Sequence, residues 1–142
     1  MAALPAETHA LLADVPRSAA HFPDVLHLVA LGDNTFRWEM KRVGLGDIAL
    51  QTVYASHYRS DAARLWVGWE PVHGVGNAEV SGHWQLVASP HGTRVHLALD
   101  TRFELPLPHL LQHVAEHLVG HELNRQVDIY IANLRRTLGA PH

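Results

Sequence analysis

A change of hydrophobic period near Pro108 constrains the fold of this chain more than any other feature. From residue 25 to about residue 105, apolar and polar residues alternate with the period of two that half-buried strands show. From there to Leu138, over about thirty residues, apolar residues recur at helical spacing. Strands that each bury one face need a cover, and the C-terminal helix is the only segment large enough to provide it.

Turn-forming residues divide the alternating region into about six consecutive antiparallel strands. They lie at 32–34, 44–47, 61–62, 73–77 and 90–93. The clearest strand runs from Thr35 to Val43, and a long one is predicted from Ile48 to Ser60. Two short helices, at 6–13 and about 16–21, precede the strands. We expect Gly120 to kink the C-terminal helix or to divide it into a short and a long one.

These elements predict a single α+β domain over residues 1–142. A curved antiparallel sheet of six to seven strands would wrap around the C-terminal helix. One helix cannot fill the concave side of so wide a sheet, so we expect an apolar cavity between them. The residues predicted to line it and bind a ligand are Phe36, Trp38, Tyr54, Trp69, Trp84, Leu97 and Phe103 on the sheet, and Leu123, Val127, Tyr130 and Ile131 on the helix.

The order of several segments resembles the START-like, or SRPBCC, superfamily, and within it the polyketide-cyclase and coenzyme-Q-binding groups. The segments are Leu11–Pro16, His21–Val25, Val80–Leu86, Gly92–Val95 and Tyr130–Leu134. The resemblance implies a helix-grip fold whose deep apolar pocket holds lipids, polyketides, sterols, hormones or prenylated quinones. No single catalytic signature defines the superfamily, so the resemblance transfers no catalytic residue.

Members of this superfamily usually begin with a full strand, whereas only residues 1–4 precede the first helix here. The strand is then rudimentary, or the start codon has been placed late, or a neighbouring chain supplies the missing edge. A long unpaired edge is a template for association, so a homodimer is one expectation.

Composition narrows the class of protein. Cysteine is absent, which excludes disulfides, thiolate metal sites and cysteine nucleophiles. The formal net charge of −3 and the scattered basic residues do not favour nucleic acid as a partner. No window approaches the ~18 consecutive apolar residues of a spanning helix, and no signal peptide is recognisable. We therefore expect a cytoplasmic protein without a transmembrane segment.

Four histidines stand four residues apart on the predicted helix, at His109, His113, His117 and His121. Two imidazoles on neighbouring turns could share a transition-metal ion. The catalytic His-Glu-x-x-His pattern fails, however, because residue 125 is arginine. A solvated face in a chain with 13 histidines explains the row more simply. We predict no metal and no cofactor, although the sequence leaves open whether this row ever binds a metal.

The leading hypothesis is the binding or carriage of a hydrophobic small molecule such as a lipid, quinone or polyketide-like compound, in a pocket of at least about 300 Å³. A cyclase or dehydratase of polyketide-like substrates is the first alternative, and it requires polar groups that converge in the pocket. Tyr54, Tyr58 and Glu104 are its candidate acids or bases, with Arg37 if the face assignment is reversed. The second alternative is a protein-interaction module with a collapsed cavity. Catalysis is not the expected role, and the sequence does not identify the ligand.

Overall fold

Two short helices, eight strands and one long helix make up the part of the chain that the computed structural model describes, namely residues 1–45, 48–104, 107 and 109–139, with backbone alone at 43–45, 48, 49 and 109. The helices are α1 (Pro5–Ala13), α2 (Val15–Ala19) and α3 (His109–Leu138). The strands are β1 (Val25–Gly32), β2 (Thr35–Met40), β3 (Val43–Leu45), β4 (Ile48–Leu50), β5 (Val53–Asp61), β6 (Trp66–Pro71), β7 (Ala78–Ser89) and β8 (Gly92–Phe103). The α+β helix-grip architecture expected from the sequence is confirmed.

Local sequence explains where these elements begin and turn. Pro5 opens α1 at a position where the missing N–H costs nothing. The Asp14 carboxylate caps α2 by accepting a hydrogen bond from the Arg17 N–H at 3.3 Å. Asp33 and Asn34 both have positive φ, as the tight turn between β1 and β2 requires.

Six strands form one antiparallel sheet in the order β1-β2-β5-β6-β7-β8. The last pair, β7 and β8, is in continuous register from Ala78 opposite Phe103 to Ser89 opposite Gly92. The first pair, β1 and β2, contains two register shifts, between Val25 and His27 and between Ala30 and Gly32. The sheet therefore has one regular end at β8 and one irregular end at β1.

The core lies between the inner face of this sheet and α3. Trp69, Val80, Trp84 and Leu86 from the sheet form one cluster with α1 and with Tyr130, Leu134 and Leu138 of α3. Leu134 has 0% exposure. The predicted alternation on β7 thus places its large apolar side chains inside.

The strand predicted from Ile48 to Ser60 is divided, which corrects the sequence analysis. Ile48–Leu50 pairs with β3 in a separate two-stranded ribbon, and the main sheet resumes at Val53. The Asn77 side chain interrupts the strand, because it donates to the Gln51 carbonyl at 2.6 Å and accepts from the Val53 N–H at 2.9 Å. Part of the turn predicted at 44–47 lies outside the described residues.

The division of the C-terminal helix expected at Gly120 is absent from the described residues, since α3 runs unbroken through that position. A glycine costs only about 1 kcal/mol in a helix interior. Ala115 and Val119 on the preceding turn are buried against Leu50 and Phe103, and these contacts offset that cost. None of the described helices combines the length and apolar character needed to cross a bilayer.

The residues before α1 contact the start of β8. The Met1 amino group donates to the Thr93 carbonyl at 2.9 Å, and the Thr93 N–H donates to the Met1 carbonyl at 2.7 Å. The Ala2 and Ala3 N–H groups donate to the carbonyls of Gly139 and Leu138. Met1 alone therefore pairs with β8 among the described residues, at the place where the START-like resemblance implies a full strand.

Candidate functional site: an aromatic cavity under the C-terminal helix

The space between the sheet and α3 is a cavity with mainly aromatic and aliphatic walls. The volume that the centre of a water-sized molecule can occupy is about 100 Å³, and the whole space, including its opening to solvent, is about 1010 Å³. The first volume is smaller than the roughly 300 Å³ that the leading hypothesis expects for a whole lipid, quinone or polyketide-like molecule. The lining residues from the sheet and from the positions next to its strands are Trp38, Met40, Lys41, Thr52, Tyr54, Tyr58, Trp69, Val80, Trp84, Leu97, Leu99, Thr101 and Phe103.

Nine of the eleven predicted residues lie together on the cavity wall. They are Trp38, Tyr54, Trp69, Trp84, Leu97, Phe103, Leu123, Val127 and Tyr130. The other two, Phe36 and Ile131, are outside the lining. Phe36 packs edge-on against Tyr58 with ring centroids 6.0 Å apart, and Tyr58 lines the cavity instead. Consecutive helical residues diverge by about 100°, so Ile131 cannot share the direction of Tyr130.

Sequence reasoning missed the contribution of the two short helices. Leu12 of α1, Val15 and Ser18 of α2, and Phe22 after it all line the cavity. Val15, Ser18 and Ala19 are buried in α2, with the i, i+3, i+4 spacing of an inward helical face. That spacing was the available signal for placing α2 against the core.

All three tyrosines of the chain line this cavity. The Trp38 indole N–H donates to the Tyr58 hydroxyl at 3.0 Å. The hydroxyls of Ser18 and Tyr130 share a short hydrogen bond. Tyr54 stacks on Trp38 with centroids 5.8 Å apart, and its hydroxyl has no hydrogen-bond partner among the described residues. The cavity thus combines apolar walls with a small set of hydrogen-bonding groups.

These phenols are held in the neutral form. Burial raises the pKa of Tyr54 well above its ordinary value near 10, and neighbouring Tyr58 and Tyr130 add to the increase. Burial also raises the pKa of Tyr58, against the opposing effect of the hydrogen bond from Trp38. Burial raises the pKa of Tyr130 to about 12, although its hydrogen bonds to Ser18 and Trp84 act in the other direction. At neutral pH all three are donors or acceptors of hydrogen bonds, not bases.

Four polar residues also line the cavity. They are Lys41, Thr52, Glu122 and Gln126. Arg125 donates to the carboxylates of both Asp24 and Glu122, and these hydrogen bonds raise its pKa, Glu122 more strongly than Asp24. This contact ties α3 to the connection between α2 and β1. It is exposed, so its contribution to stability is small.

The other predicted groups do not form a reactive site. Within the described residues, no three His, Asp or Glu side chains are placed to hold a metal ion, and the His109 side chain lies outside the description. Glu104 is exposed just after β8. Arg37 pairs with Glu39 at 3.1 Å on the face opposite Trp38, as the original face assignment predicts.

Comparisons with known proteins identify the fold. The chain matches no family model, and no curated protein matches its sequence. Several solved structures match nearly its whole length. A protein of Thermus thermophilus, TTHA0849, has a TM-score of 0.68 and 18% identity, over 97% of this chain and 91% of its own.

Two more of these structures carry functional or superfamily names. The Zhui aromatase/cyclase from a Streptomyces species has a TM-score of 0.60 and 17% identity, over 97% of this chain and 91% of its own. A START superfamily protein from Mycobacterium smegmatis has a TM-score of 0.61 and 13% identity, over 96% and 93%. Identities this low establish shape and not activity. The chain therefore has the helix-grip fold that these structures share.

Proposed function

We propose that this protein binds a compact hydrophobic molecule that carries an oxygen acceptor, such as a quinone or another cyclic ketone, in the cavity under α3. The hydroxyl of Tyr54 is the observation that carries this proposal, since it lines the apolar cavity without a partner among the described residues. Tyr54 borders the open space of the cavity, so its hydroxyl is available to donate a hydrogen bond to a molecule bound there. A ligand carbonyl would accept that hydrogen bond.

The size of the cavity restricts the ligand. A dry protein cavity of about 150 Å³ binds benzene, so the 100 Å³ of this cavity suits about one ring or a short acyl group, and a second fused ring would extend into the open part of the space. A longer lipid, quinone or polyketide-like molecule would insert its ring and leave its tail in the open part of the space. Lys41, an exposed residue of the cavity lining, would then be available to contact the tail.

A cyclase or dehydratase is the second candidate, and the convergence of Ser18, Tyr54, Tyr58 and Tyr130 on one space favours it. Neutral phenols can polarise a carbonyl by donating hydrogen bonds. Abstracting a proton requires a base, however, and Glu122 is the carboxylate among the described lining residues. That carboxylate is already engaged in an ion pair with Arg125, at 3.0 Å. Binding is therefore favoured over catalysis, and the open cavity disfavours a collapsed interaction module.

Matched ligands test the proposal. Three of the four tryptophans line the cavity, so tryptophan fluorescence should report binding. Naphthoquinone and naphthalene have similar ring systems, but only the former has carbonyl acceptors. We expect Tyr54→Phe to weaken naphthoquinone binding about tenfold, the equivalent of about 1.4 kcal/mol, and to leave naphthalene binding nearly unchanged.

The same titration can refute the proposal. Failure of the wild-type protein to bind either compound up to its solubility limit would exclude a ring-binding cavity. Equal losses of affinity for both compounds would show that Tyr54 shapes the wall and does not recognise an acceptor. Val87→Ala, at an exposed position of β7, serves as the control and should bind both compounds as the wild type does. A cytoplasmic location remains part of this proposal.

A further inference from the structure

The outer edge of β8 has a defined set of outward-pointing backbone groups. In an antiparallel strand, successive residues direct their N–H and C=O groups to opposite sides. The Glu104 N–H donates to the Asn77 carbonyl next to β7, whereas Thr93 exchanges hydrogen bonds with Met1 on the outer side. The odd-numbered residues of β8 therefore direct their N–H and C=O groups away from β7.

Beyond Thr93, the residues whose backbone groups point away from β7 are Val95, Leu97, Leu99, Thr101 and Phe103. β8 is the end of the sheet, and within the described part of the chain these groups pair with no further strand. The last four of these residues also line the cavity. Leu99 is 37% exposed, which is unusual for a residue of the inner face. The cavity wall thus ends at an edge whose backbone groups are open over 95–103.

The opposite edge, at β1, is much less able to accept a strand. Its pairing with β2 is shifted twice within eight residues. Such bulges twist an edge and are one way in which proteins prevent further pairing. β8 pairs over twelve residues without a shift. Of the two ends of the sheet, β8 is the template for an added strand.

We propose that β8 pairs antiparallel with β8 of a second copy of this chain, about a two-fold axis at Leu99. The open segment 95–103 is symmetric about that residue. Val95 then faces Phe103 of the second copy, Leu97 faces Thr101, and the two Leu99 side chains meet. All the outward groups are used, in about ten interchain hydrogen bonds. The same surface serves both copies, as a closed two-fold interface requires.

Charges on the outer face favour this register. Arg94 comes opposite Glu104 of the second copy, and the pair occurs twice by symmetry. Opposite charges at directly opposed positions stabilise an antiparallel pair. Ala98 comes opposite Asp100. His96 comes opposite Arg102, which repels it when the imidazole is protonated.

The two adjacent two-fold registers are less favourable. A pairing centred on Ala98 places Arg94 opposite Arg102, and one centred on Asp100 places two carboxylates opposite each other. Like charges at opposed positions are destabilising. Pairings centred farther along β8 use fewer of the outward backbone groups. The Leu99 register is therefore preferred on both hydrogen bonding and charge.

The second copy would also extend the cavity wall past Leu99. The functional meaning of this longer wall rests on the proposed ligand binding, whereas the strand pairing does not. Association and ligand binding can therefore be measured independently.

Sedimentation over a wide concentration series should show a monomer–dimer equilibrium for the wild-type chain. Leu99→Pro removes an outward N–H that makes no hydrogen bond within the described chain, so its effect on pairing should be mainly interchain. We expect it to abolish the dimer. Arg94→Glu and Glu104→Arg should each weaken dimerisation about tenfold, because each replaces two attractive pairs by repulsive ones. The double variant restores the pairs with reversed sign and should regain the wild-type affinity.

Val29→Lys, on the β1 edge, is the matched control and should leave the dimer unchanged. Circular dichroism establishes whether each variant is folded. If Leu99→Pro does not fold, the variants at the exposed residues Arg94 and Glu104 still test the interface. The interface is refuted if the wild type is monomeric throughout, if the charge swap does not restore association, or if Val29→Lys disrupts the dimer. Naphthoquinone binding to monomeric Arg94→Glu tests the ligand proposal separately, since Arg94 lies outside the described cavity lining.

Discussion

Alkaline titration of the three tyrosines probes the cavity directly, because every tyrosine of the chain lines it. The tyrosinate absorbance of the native protein therefore contains no signal from the surface. In the unfolded chain the three phenols should ionise near pH 10. In the native protein, burial raises the pKa of Tyr130 to about 12 and shifts those of Tyr54 and Tyr58 in the same direction.

The structure determines the sign and size of the linked change in stability. A raised pKa means that the folded state holds the proton more tightly than the unfolded state. The contribution to the free energy of unfolding is complete below about pH 10 and disappears as pH rises through about 12. For Tyr130 alone, the difference of about two in pKa corresponds to about 2.7 kcal/mol. This is a large part of the 5–15 kcal/mol that typically stabilises a domain.

Near-ultraviolet absorbance and urea unfolding measure the two quantities. At pH 11 about nine-tenths of unfolded tyrosine should be ionised, against about one-tenth of native Tyr130. The difference in unfolding free energy between wild type and Tyr130→Phe should shrink between pH 10 and 12, while the contribution of the single lysine, Lys41, cancels. Ionisation of all three tyrosines near pH 10 in protein that remains folded would refute the argument, because it would show that the hydroxyls are in contact with bulk water.

Two substitutions test the packing around the same space. Leu134→Ala removes a side chain with 0% exposure and should lower the free energy of unfolding by about 2–5 kcal/mol in urea; Leu110→Ala, at 88% exposure, should change it by less than about 0.5 kcal/mol. Gly82→Ala would place a methyl group 2.3 Å from the Ala98 carbonyl oxygen and 2.9 Å from the Trp69 ring. We expect a loss of about 1–3 kcal/mol and an altered tryptophan spectrum, and a neutral result would mean that Trp69 does not lie across Gly82.

Periodicity was sufficient to predict most of the sheet and its inner face. The alternation around Trp38, Trp69 and Trp84 depends on neighbouring residues alone, because each step along a strand reverses the side-chain direction. The error at Ile48–Leu50 has a different origin. It depends on Asn77, which hydrogen-bonds to Gln51 and Val53 from a distant part of the chain. Strand pattern contains no information about such long-range competition for backbone groups.

The sequence predicted which side chains face the core, but not which of them reach the cavity. Tyr130 and Ile131 are both apolar members of the helical stripe, and only the rotation of α3 about its axis selects Tyr130 for the cavity. Phe36 points inward like Trp38, yet Tyr58 intervenes between it and the space. The rotation of α3 about its axis and the relative positions of the aromatic rings depend on the packing of the whole domain. A local sequence pattern does not contain them.

The enclosed volume is the property that sequence reasoning overestimated, and aromatic packing explains why. A row of large rings suggests a wide wall, but the same rings occupy the space that they surround. Trp38 and Tyr54 lie nearly parallel, at an interplanar angle of 12°, and burial of such rings leaves them few alternative rotamers. What remains is a cavity of about 100 Å³. Such a space accepts a planar ring more readily than a flexible chain of equal volume, because the ring loses less conformational entropy on binding.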